Sequence, residues 1–486
     1  MSGKGSGAAR LHRLLPWLLA ALAVTLCVGA RVTTPYVVSG DEPHYLVIAG
    51  SIVHDGDVDV KNDYQLGRYR SYYPDTIDPH VNLTIFNSAS PHWYSFHEVG
   101  LPILLVPMFA IWGLAGAEAT MILVALALLA VTYRWSLRVL GSRTLAMVSV
   151  AGLLISSSFL GLEGYVFPDL VVALLMVSSL LLLERSRNVA FQVLLGTMLG
   201  VAVWVHVRTV LMFLAVGLIA LWQVLVRDRA LGRRHVAVHT AALVVPPLLL
   251  AALFEIEVHQ WFGSWNPTAM YQGSPSILQA SPLHTIPRLL FGGTQGVFAD
   301  NPVWILAAAG AGMWFARRRS QLLRVLAVTL PTFLLISTFA IWRGGGAPPG
   351  RFSLSILPAF APAIGWAVEA ARRPVARAAA AGVFALQALF TAIDYRTNGF
   401  PWGNDPVLGV LQQHLPFIPA SWVPTFDAEV PPAVRLHDKV YVVAFALLLV
   451  ALLVAGYVRG RETPAGTTKP PAGRPGALLL QRGGRA

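Results

Sequence analysis

The run LLPWLLAALAVTLCVGA, Leu14 to Ala30, is apolar along its whole length and is soon followed by SGDEPHYL, Ser39 to Leu46. Apolar runs of similar length recur along the 486 residues, of which 55% are hydrophobic and only 12% are charged. Soluble globular proteins carry about 25% charged residues, and about 20 apolar residues span the hydrocarbon core of a bilayer. The sequence therefore predicts an all-α polytopic membrane protein.

The formal net charge of +12 does not indicate nucleic-acid binding, because the arginines fall in short clusters between apolar runs. This is the distribution that the positive-inside rule describes for cytoplasmic loops. Placing all the clusters in the cytoplasm predicts about 12 transmembrane helices, with a range of 11 to 13. The clusters are ERSR (Glu184 to Arg187), RDRALGRR (Arg227 to Arg234), RRRSQLLR (Arg317 to Arg324), RRPVAR (Arg372 to Arg377) and VRGRE (Val458 to Glu462).

The chain is predicted to have a cytoplasmic N-terminus at 1–13, a membrane domain at 14–458 and a disordered cytoplasmic tail at 459–486. The tail is rich in proline, glycine and basic residues, which cannot bury a core. The first apolar run also fits a signal peptide, but an uncleaved helix is preferred because no other large soluble domain needs export. The predicted long external loops are 33–98, 255–300 and 395–437.

Three apolar runs, 99–116, 119–137 and 143–160, separate the external loop 33–98 from Asp169, which is also predicted to be external. An odd number of crossings cannot connect two segments on the same side of the membrane, so the run at 99–116 does not fit a simple alternation of spans. It contains Pro102, Pro107 and Gly113, so we predict a re-entrant or juxtamembrane segment whose backbone is shielded by protein. The predicted spans after it lie near 119–137, 143–160, 166–183, 190–205, 209–226, 236–254, 301–316, 325–342, 353–370, 378–394 and 438–457.

Loop 33–98 is polar, long and rich in tyrosine and histidine, which argues against disorder. We expect a folded external cap of short juxtamembrane helices. It begins with the adjacent carboxylates Asp41 and Glu42. One interpretation is a helix N-terminus, since Gly40-Asp41 before Pro43 suits an N-cap. The other is a general base, because a carboxylate desolvated at the membrane surface has a raised pKa.

The combination of an apolar first span and an acidic pair resembles the GT-C superfamily of integral-membrane glycosyltransferases. The similarity is to the bacterial branch related to protein O-mannosyltransferases and aminoarabinose transferases. The short motifs that carry it are spread over most of the chain. They are GDEPHYLVIAGSI (Gly40 to Ile52), HWYSFHEVGLPILLVP (His92 to Pro107), WVHVRTVL (Trp204 to Leu211) and WRGGGAPPGRFSLSILP (Trp342 to Pro358).

The resemblance implies transfer of a single sugar, a hexose or a pentose, from a polyprenyl-phosphate donor to a lipid, glycan or protein acceptor. The transfer would invert the anomeric centre at the external face of the cell membrane. Asp41 matches the proposed general base, and Glu42 its partner, which places the acceptor or a bound cation. Asp169 falls where the family often has a second acidic residue, a role that Glu163 could also take. No cofactor is required, although a divalent cation is compatible with this chemistry.

A departing lipid phosphate develops negative charge, so the site needs cations at the external interface. Arginine suits phosphate because its planar guanidinium donates two parallel hydrogen bonds. Arg343 and Arg351 bracket a turn rich in glycine and proline whose amides could hold an anion. Arg208 could instead snorkel to the interface, and His206 could be a packing histidine. The residues predicted to bind the substrate or its phosphate are His97, His206, Arg208, Arg343 and Arg351.

Two other functions remain open from the sequence. A transporter or flippase of lipid-linked sugars would distribute charges through the middle of several helices, whereas here they gather near helix ends. A non-catalytic scaffold gives no reason for an acidic pair and an arginine turn in one compartment. Glu255 and His259 have the spacing of metal ligands on a helix, but they lack a third ligand, so no metal site is predicted. The glycosyltransferase interpretation requires Asp41 to lie near Asp169 and an arginine.

Overall fold

The computed structural model describes residues 16–29, 38, 40–82, 90–184, 188–271, 280–292, 296–339, 350–396 and 432–462. Helices dominate these ranges, where isolated bridges join Asp59 to Tyr94 and Val81 to Ser95. The prediction of an all-α chain is confirmed. The helices are α1 (Pro16–Gly29), α2 (Glu42–His54), α3 (Lys61–Leu66), α4 (Gly100–Trp112), α5 (Leu114–Leu140), α6 (Arg143–Leu154), α7 (Ser157–Leu162), α8 (Pro168–Leu183), α9 (Val189–Val205), α10 (Val210–Trp222), α11 (Arg233–Phe262), α12 (Pro282–Phe291), α13 (Val297–Asp300), α14 (Ile305–Ile336), α15 (Arg351–Leu354), α16 (Leu357–Ala370), α17 (Pro374–Arg396) and α18 (Pro432–Glu462).

The described residues include 6 helical segments that are long and apolar enough to cross a membrane. Shorter apolar helices, namely α1, α4, α6, α8 and α9, accompany them. This distribution is that of a polytopic membrane protein, and the number of 12 spans stays a prediction. The predicted segment 1–13, most of the loop 395–437 and the tail beyond Glu462 lie outside the described residues. The long segments are Leu114–Leu140, Val207–Arg227, Arg233–Phe262, Pro302–Ile336, Pro374–Ile393 and Lys439–Glu462.

The spans predicted at 301–316 and 325–342 correspond to the two parts of α14, which is broken at Arg318, where φ is −140° and ψ is 51°. The break falls within the predicted cluster RRRSQLLR and agrees with the predicted division into two helices. Three other predicted boundaries are wrong. The single span predicted at 143–160 is divided into α6 and α7. Helix α11 continues past the predicted end at 254 to Phe262, and it ends at Gly263, whose φ is +67°. Helix α18 likewise includes the start of the predicted tail.

The region predicted to be re-entrant or juxtamembrane contains a short helix. Helix α4 has 13 residues and measures about 20 Å, less than the roughly 30 Å of a hydrocarbon core. It ends at Gly113, whose φ of +57° and ψ of −134° suit glycine alone. Helix α5 then starts in close contact with α4, since a Cβ at Gly116 would lie 2.0 Å from the carbonyl oxygen of Met108.

Helix α8 separates two charged regions of the bundle. Its 16 residues span about 24 Å, with Asp169 in the first turn and Glu184 at the C-cap. Glu184 pairs with Arg324 at 2.9 Å, and a second pair joins Arg317 to Glu369 at 2.7 Å. Clusters predicted to be cytoplasmic therefore meet at one end of α8. The other end carries the candidate site.

The described residues between α1 and α4, 40–82 and 90–99, are folded into a cap, as predicted for loop 33–98. Helices α2 and α3 and the 3-10 helix Arg68–Ser71 form it. Bridges from Asp59 to Tyr94 and from Val81 to Ser95 tie its early part to the residues that precede α4. An apolar cluster fills its interior, made of Val47, Ile48, Val60, Tyr64, Tyr69, Val81 and Val99.

The cap meets α9 at Gly100, where no side chain fits. A Cβ at Gly100 would lie 2.5 Å from the carbonyl carbon and oxygen of Trp204. We expect Gly100→Ala to lower the free energy of unfolding by about 1–3 kcal/mol, because the backbones must move apart. The midpoint of thermal unfolding in detergent measures this loss.

The matched control is Gly382→Ala in α17, where a Cβ meets nothing within 4 Å and alanine favours the helix. An equal unfolding midpoint for Gly100→Ala and the unsubstituted chain would contradict the close packing of α4 on α9.

Candidate active site

Asp169 is fully buried in the first turn of α8. Phe167 is the N-cap, and Pro168 follows where its missing N–H costs no hydrogen bond. The helix dipole favours a carboxylate at this position. Because a buried carboxylate still needs charged or hydrogen-bonding partners, the side chains around Asp169 decide what this end of the bundle can do.

Arg208 reaches Asp169 from the break between α9 and α10. The extended residue His206 ends α9, and Val207–Thr209 form a 3-10 helix. Arg208 donates from Nη2 to Oδ1 of Asp169, and its guanidinium lies 4.5 Å from the ring centroid of Phe352. The Arg208 side chain is only 4% exposed, so the snorkelling interpretation is wrong: the buried carboxylate holds it inside.

Arg351 connects Asp169 to Asp41. Its Nε lies 3.0 Å from Oδ2 of Asp169, and its Nη2 lies 2.8 Å from Oδ2 of Asp41. Gly350 directly before it has a φ of +73°, and a Cβ there would lie 2.1 Å from Oγ of Ser158. Glycine is therefore needed at this position for Arg351 to enter the site.

Together these contacts form an ion chain, defined as Asp41–Arg351–Asp169–Arg208. Ser355 adds a hydrogen bond of 3.1 Å from its Oγ to Oδ1 of Asp169. The Arg351 guanidinium also lies 4.1 Å from the ring centroid of Phe167, which supports its face. Four residues that are far apart in the sequence thus meet, with the charges alternating.

Asp41 is the partly exposed end of the ion chain, with 29% of its side chain accessible. It occupies the N-cap position of α2, yet its side chain makes no capping hydrogen bond. Burial alone raises the pKa of Asp41, but the Arg351 guanidinium outweighs it and holds that pKa well below its usual value. The expectation of a raised pKa is therefore wrong, because the sequence could not show which cation lies beside this carboxylate.

Glu42 contacts the segment before α8. It is fully buried, and its Oε1 accepts a hydrogen bond of 2.6 Å from the backbone N–H of Val166. This contact joins α2 to the residues that lead into Asp169. The structure therefore gives Glu42 a positioning contact, and its predicted role in placing an acceptor or a cation stays a prediction.

Glu98 is a buried site residue that the sequence reasoning missed. Its Oε1 accepts hydrogen bonds from the N–H of Val207 at 2.7 Å and from the hydroxyl of Tyr271 at 2.8 Å. Nδ1 of His206 lies 3.3 Å from the same oxygen, so His206 has a polar contact and is more than a packing residue. Burial raises the pKa of Glu98. The contacts with His206 and the Val207 N–H lower it by more than burial raises it, so the pKa is about 2.

The available signal for Glu98 was its place in HEVGLP, directly after His97 and two residues before Gly100. The close approach at Gly100 brings this segment against Trp204, which sets Glu98 beside the turn that carries Arg208. The motif was chosen for its histidine and glycine, and a single acidic residue within it does not by itself indicate a site residue.

The cap contributes a group of histidines next to Asp41. Nε2 of His97 lies 2.9 Å from Nδ1 of His80, and the ring of His44 stacks on His80 with centroids 3.5 Å apart. Burial lowers the pKa of His97 to about 4 and also lowers that of His80. His97 was predicted to bind phosphate, but a neutral imidazole attracts an anion weakly.

The remaining candidates are placed as follows. Arg343 lies outside the described residues. Glu163 is buried at the C-cap of α7. Glu255 and His259 both lie in α11, where the His259 ring stacks on Trp265 with centroids 4.1 Å apart.

The ion chain predicts a large effect of removing its central charge. Asp169→Asn leaves Arg208 and Arg351 buried beside a neutral amide, which we expect to cost about 3–5 kcal/mol of unfolding free energy. Thermal unfolding in detergent measures it. Glu462→Gln is the control. It removes the ion pair between Glu462 and Arg459, whose side chains are both exposed, and exposed ion pairs contribute little to stability. Equal unfolding midpoints for the two variants would show that the ion chain does not hold the bundle.

Comparison of the whole structure with solved structures gives two similar forms of one enzyme. ArnT from Cupriavidus metallidurans bound to undecaprenyl phosphate has a TM-score of 0.52 and 17% identity, covering 91% of this chain and 74% of that chain. Its apo state has a TM-score of 0.51 and 16% identity, with the same coverage. An apo oligosaccharyltransferase from Archaeoglobus fulgidus gives a TM-score of 0.47 and 12% identity, over 88% of this chain and 59% of that chain.

No family model and no curated protein matches the sequence. At this level of identity the similarity concerns the path of the chain, since one fold can serve several activities. ArnT is an aminoarabinose transferase of the GT-C superfamily, the superfamily that the sequence motifs resemble. The chain therefore has the GT-C fold.

Proposed function

We propose that this protein is an inverting glycosyltransferase that moves a single sugar from a polyprenyl-phosphate donor to an acceptor hydroxyl at the external face of the membrane. The observation that carries the proposal is the ion chain. A partly exposed carboxylate, Asp41, contacts a buried arginine, Arg351, which is fixed by the fully buried Asp169. A proton acceptor and a phosphate-binding cation therefore lie side by side.

In the proposed reaction, the acceptor oxygen attacks the anomeric carbon from the face opposite the phosphate. The new carbon–oxygen bond forms as the bond to the phosphate oxygen breaks, and the hydroxyl proton passes to Asp41. The bonding electrons leave with the phosphate, whose added charge is stabilised by Arg351 and Arg208. The products are the glycosylated acceptor and the free polyprenyl phosphate, and the anomeric configuration is inverted.

The contacts of Arg351 explain how one arginine serves both reactants. Its Nε is directed at Asp169, whereas its Nη2 is directed at the more exposed Asp41. A guanidinium has five N–H donors, so an arriving phosphate competes with Asp41 and leaves Asp169 in place. The competition frees an oxygen of Asp41 for the acceptor hydroxyl. Asp169 acts through Arg351, which it holds in place, and is therefore a positioning residue.

The donor class rests on the fold and on the phosphate chemistry. ArnT has been solved with undecaprenyl phosphate bound, and we extend this ligand class to the present chain. The candidate site lies at one end of the apolar helix α8, whose other end meets clusters predicted to be cytoplasmic. A lipid tail within the bundle would therefore place its phosphate at the external end, beside Arg351 and Arg208.

The base is tested by complementation of a deletion strain. We expect Asp41→Asn to be produced and inserted normally but to leave absent the envelope glycan that the unsubstituted gene restores. Mass spectrometry of envelope glycans is the measurement, and the expected loss is at least about 100-fold, the lower range for a general base. Asp75→Asn, at an exposed position of the same cap, should restore the glycan fully. Full restoration by Asp41→Asn would rule out Asp41 as the base.

The cations are tested by binding of undecaprenyl phosphate to the purified chain in detergent. Hydrogen bonds to charged groups contribute about 1.5–3 kcal/mol, so we expect Arg351→Ala to weaken binding about 10- to 100-fold. Native mass spectrometry gives the affinities. The control is Arg324→Ala, which removes an arginine at the other end of α8. If both variants bound the lipid equally well, the phosphate would not contact Arg351.

A further inference from the structure

The cap brings together ligand atoms from three separate stretches of sequence. One carboxylate oxygen of Asp41 and one ring nitrogen each of His80 and His97 all lie within 4.8 Å of one another. The two rings are close, since Nδ1 of His80 lies 2.9 Å from Nε2 of His97. Residues this far apart in the chain converge on one point only through the folding of the cap.

The donor set of this cluster, two imidazoles and one carboxylate, is characteristic of transition metals. Zn²⁺ in catalytic sites commonly takes three such protein ligands and keeps a fourth position open. Mg²⁺ and Ca²⁺ prefer oxygen ligands throughout, so the imidazoles select against them. One oxygen of Asp41 contacts Arg351, and a carboxylate has a second oxygen with which to bind a metal.

A second shell of contacts fixes the two histidines. Ser95 donates from its Oγ to the carbonyl oxygen of His80 at 2.9 Å and accepts from the N–H of His97 at 3.0 Å. One serine thereby holds the backbone of both. On its other side, His80 stacks against His44, whose Nδ1 lies 2.7 Å from the hydroxyl of Tyr64. Such outer contacts orient ligands in known metal sites.

The charge of Arg351 opposes a metal ion at Asp41. That charge is shared with the fully buried Asp169, to which Arg351 also donates a hydrogen bond.

We propose that Asp41, His80 and His97 form a binding site for a divalent transition-metal ion, with Zn²⁺ as the ion that this donor set fits best. Metal binding does not depend on the function proposed above. A role for the metal does rest on that function: its open coordination position would hold the acceptor hydroxyl next to Asp41. A coordinated hydroxyl has a lowered pKa, so a weak base suffices to take its proton.

The site is tested on the full chain, purified with a tag that contains no histidine, stripped with a chelator and reloaded with Zn²⁺. Inductively coupled plasma mass spectrometry should find about one Zn²⁺ per chain, as expected for one site of this donor set. His80→Ala and His97→Ala should each bind Zn²⁺ at least about 10-fold more weakly, since even outer-shell changes have that effect. His92→Ala is the control, because His92 belongs to the same cap but is exposed and pairs with Asp59.

A second measurement uses the unsubstituted chain and does not depend on the folding of any variant. X-ray absorption at the zinc edge should show two imidazole ligands with Zn–N distances of about 2.0–2.1 Å. Zinc bound without imidazole, or bound equally well by His80→Ala, would overturn the site. Loss of zinc binding in His80→Ala, with the envelope glycan unchanged, would support the metal site and overturn its role in holding the acceptor hydroxyl.

Discussion

A guanidinium buried among apolar helices cannot lose its charge, so it must have carboxylates as neighbours. Arg351 meets this constraint twice, through the fully buried Asp169 and the partly exposed Asp41. The first contact fixes the arginine within the bundle, and the second extends its charge to the cap. Arg351 is therefore one of the side chains that join the membrane domain to the cap, and the same side chain carries the proposed chemistry.

The membrane class and the residues of the ion chain could be predicted from the sequence, because the signals are strong. Long apolar runs have few alternatives in a chain with this composition, and charged residues at the ends of such runs are rarely accidental. Arg208 and Arg351 were found in this way, whereas Asp41 and Asp169 were assigned their roles through the resemblance to GT-C glycosyltransferases. Their mutual contacts could not be predicted, so the direction of the pKa of Asp41 was predicted wrongly.

The cap was much harder to predict than the helices. His80 lies in an irregular segment with no periodic pattern, and contacts such as the bridge from Val81 to Ser95 bring it to His97. Glu98 gains its partners from Val207 and Tyr271, more than 100 residues away. The break at Arg318 was easier to predict, because the arginine cluster around it was placed in the cytoplasm between two spans.

Helix α8 carries a paired acidic residue at each end: Asp169 is held by Arg208 and Arg351, and Glu184 by Arg324. Between them, apolar side chains can be exchanged for others of similar volume without disturbing either pair. A change of length is different, because one inserted residue turns everything beyond it by about 100° and shifts it by about 1.5 Å. Natural variation in this helix should therefore consist of substitutions, with insertions and deletions confined to the turns on either side.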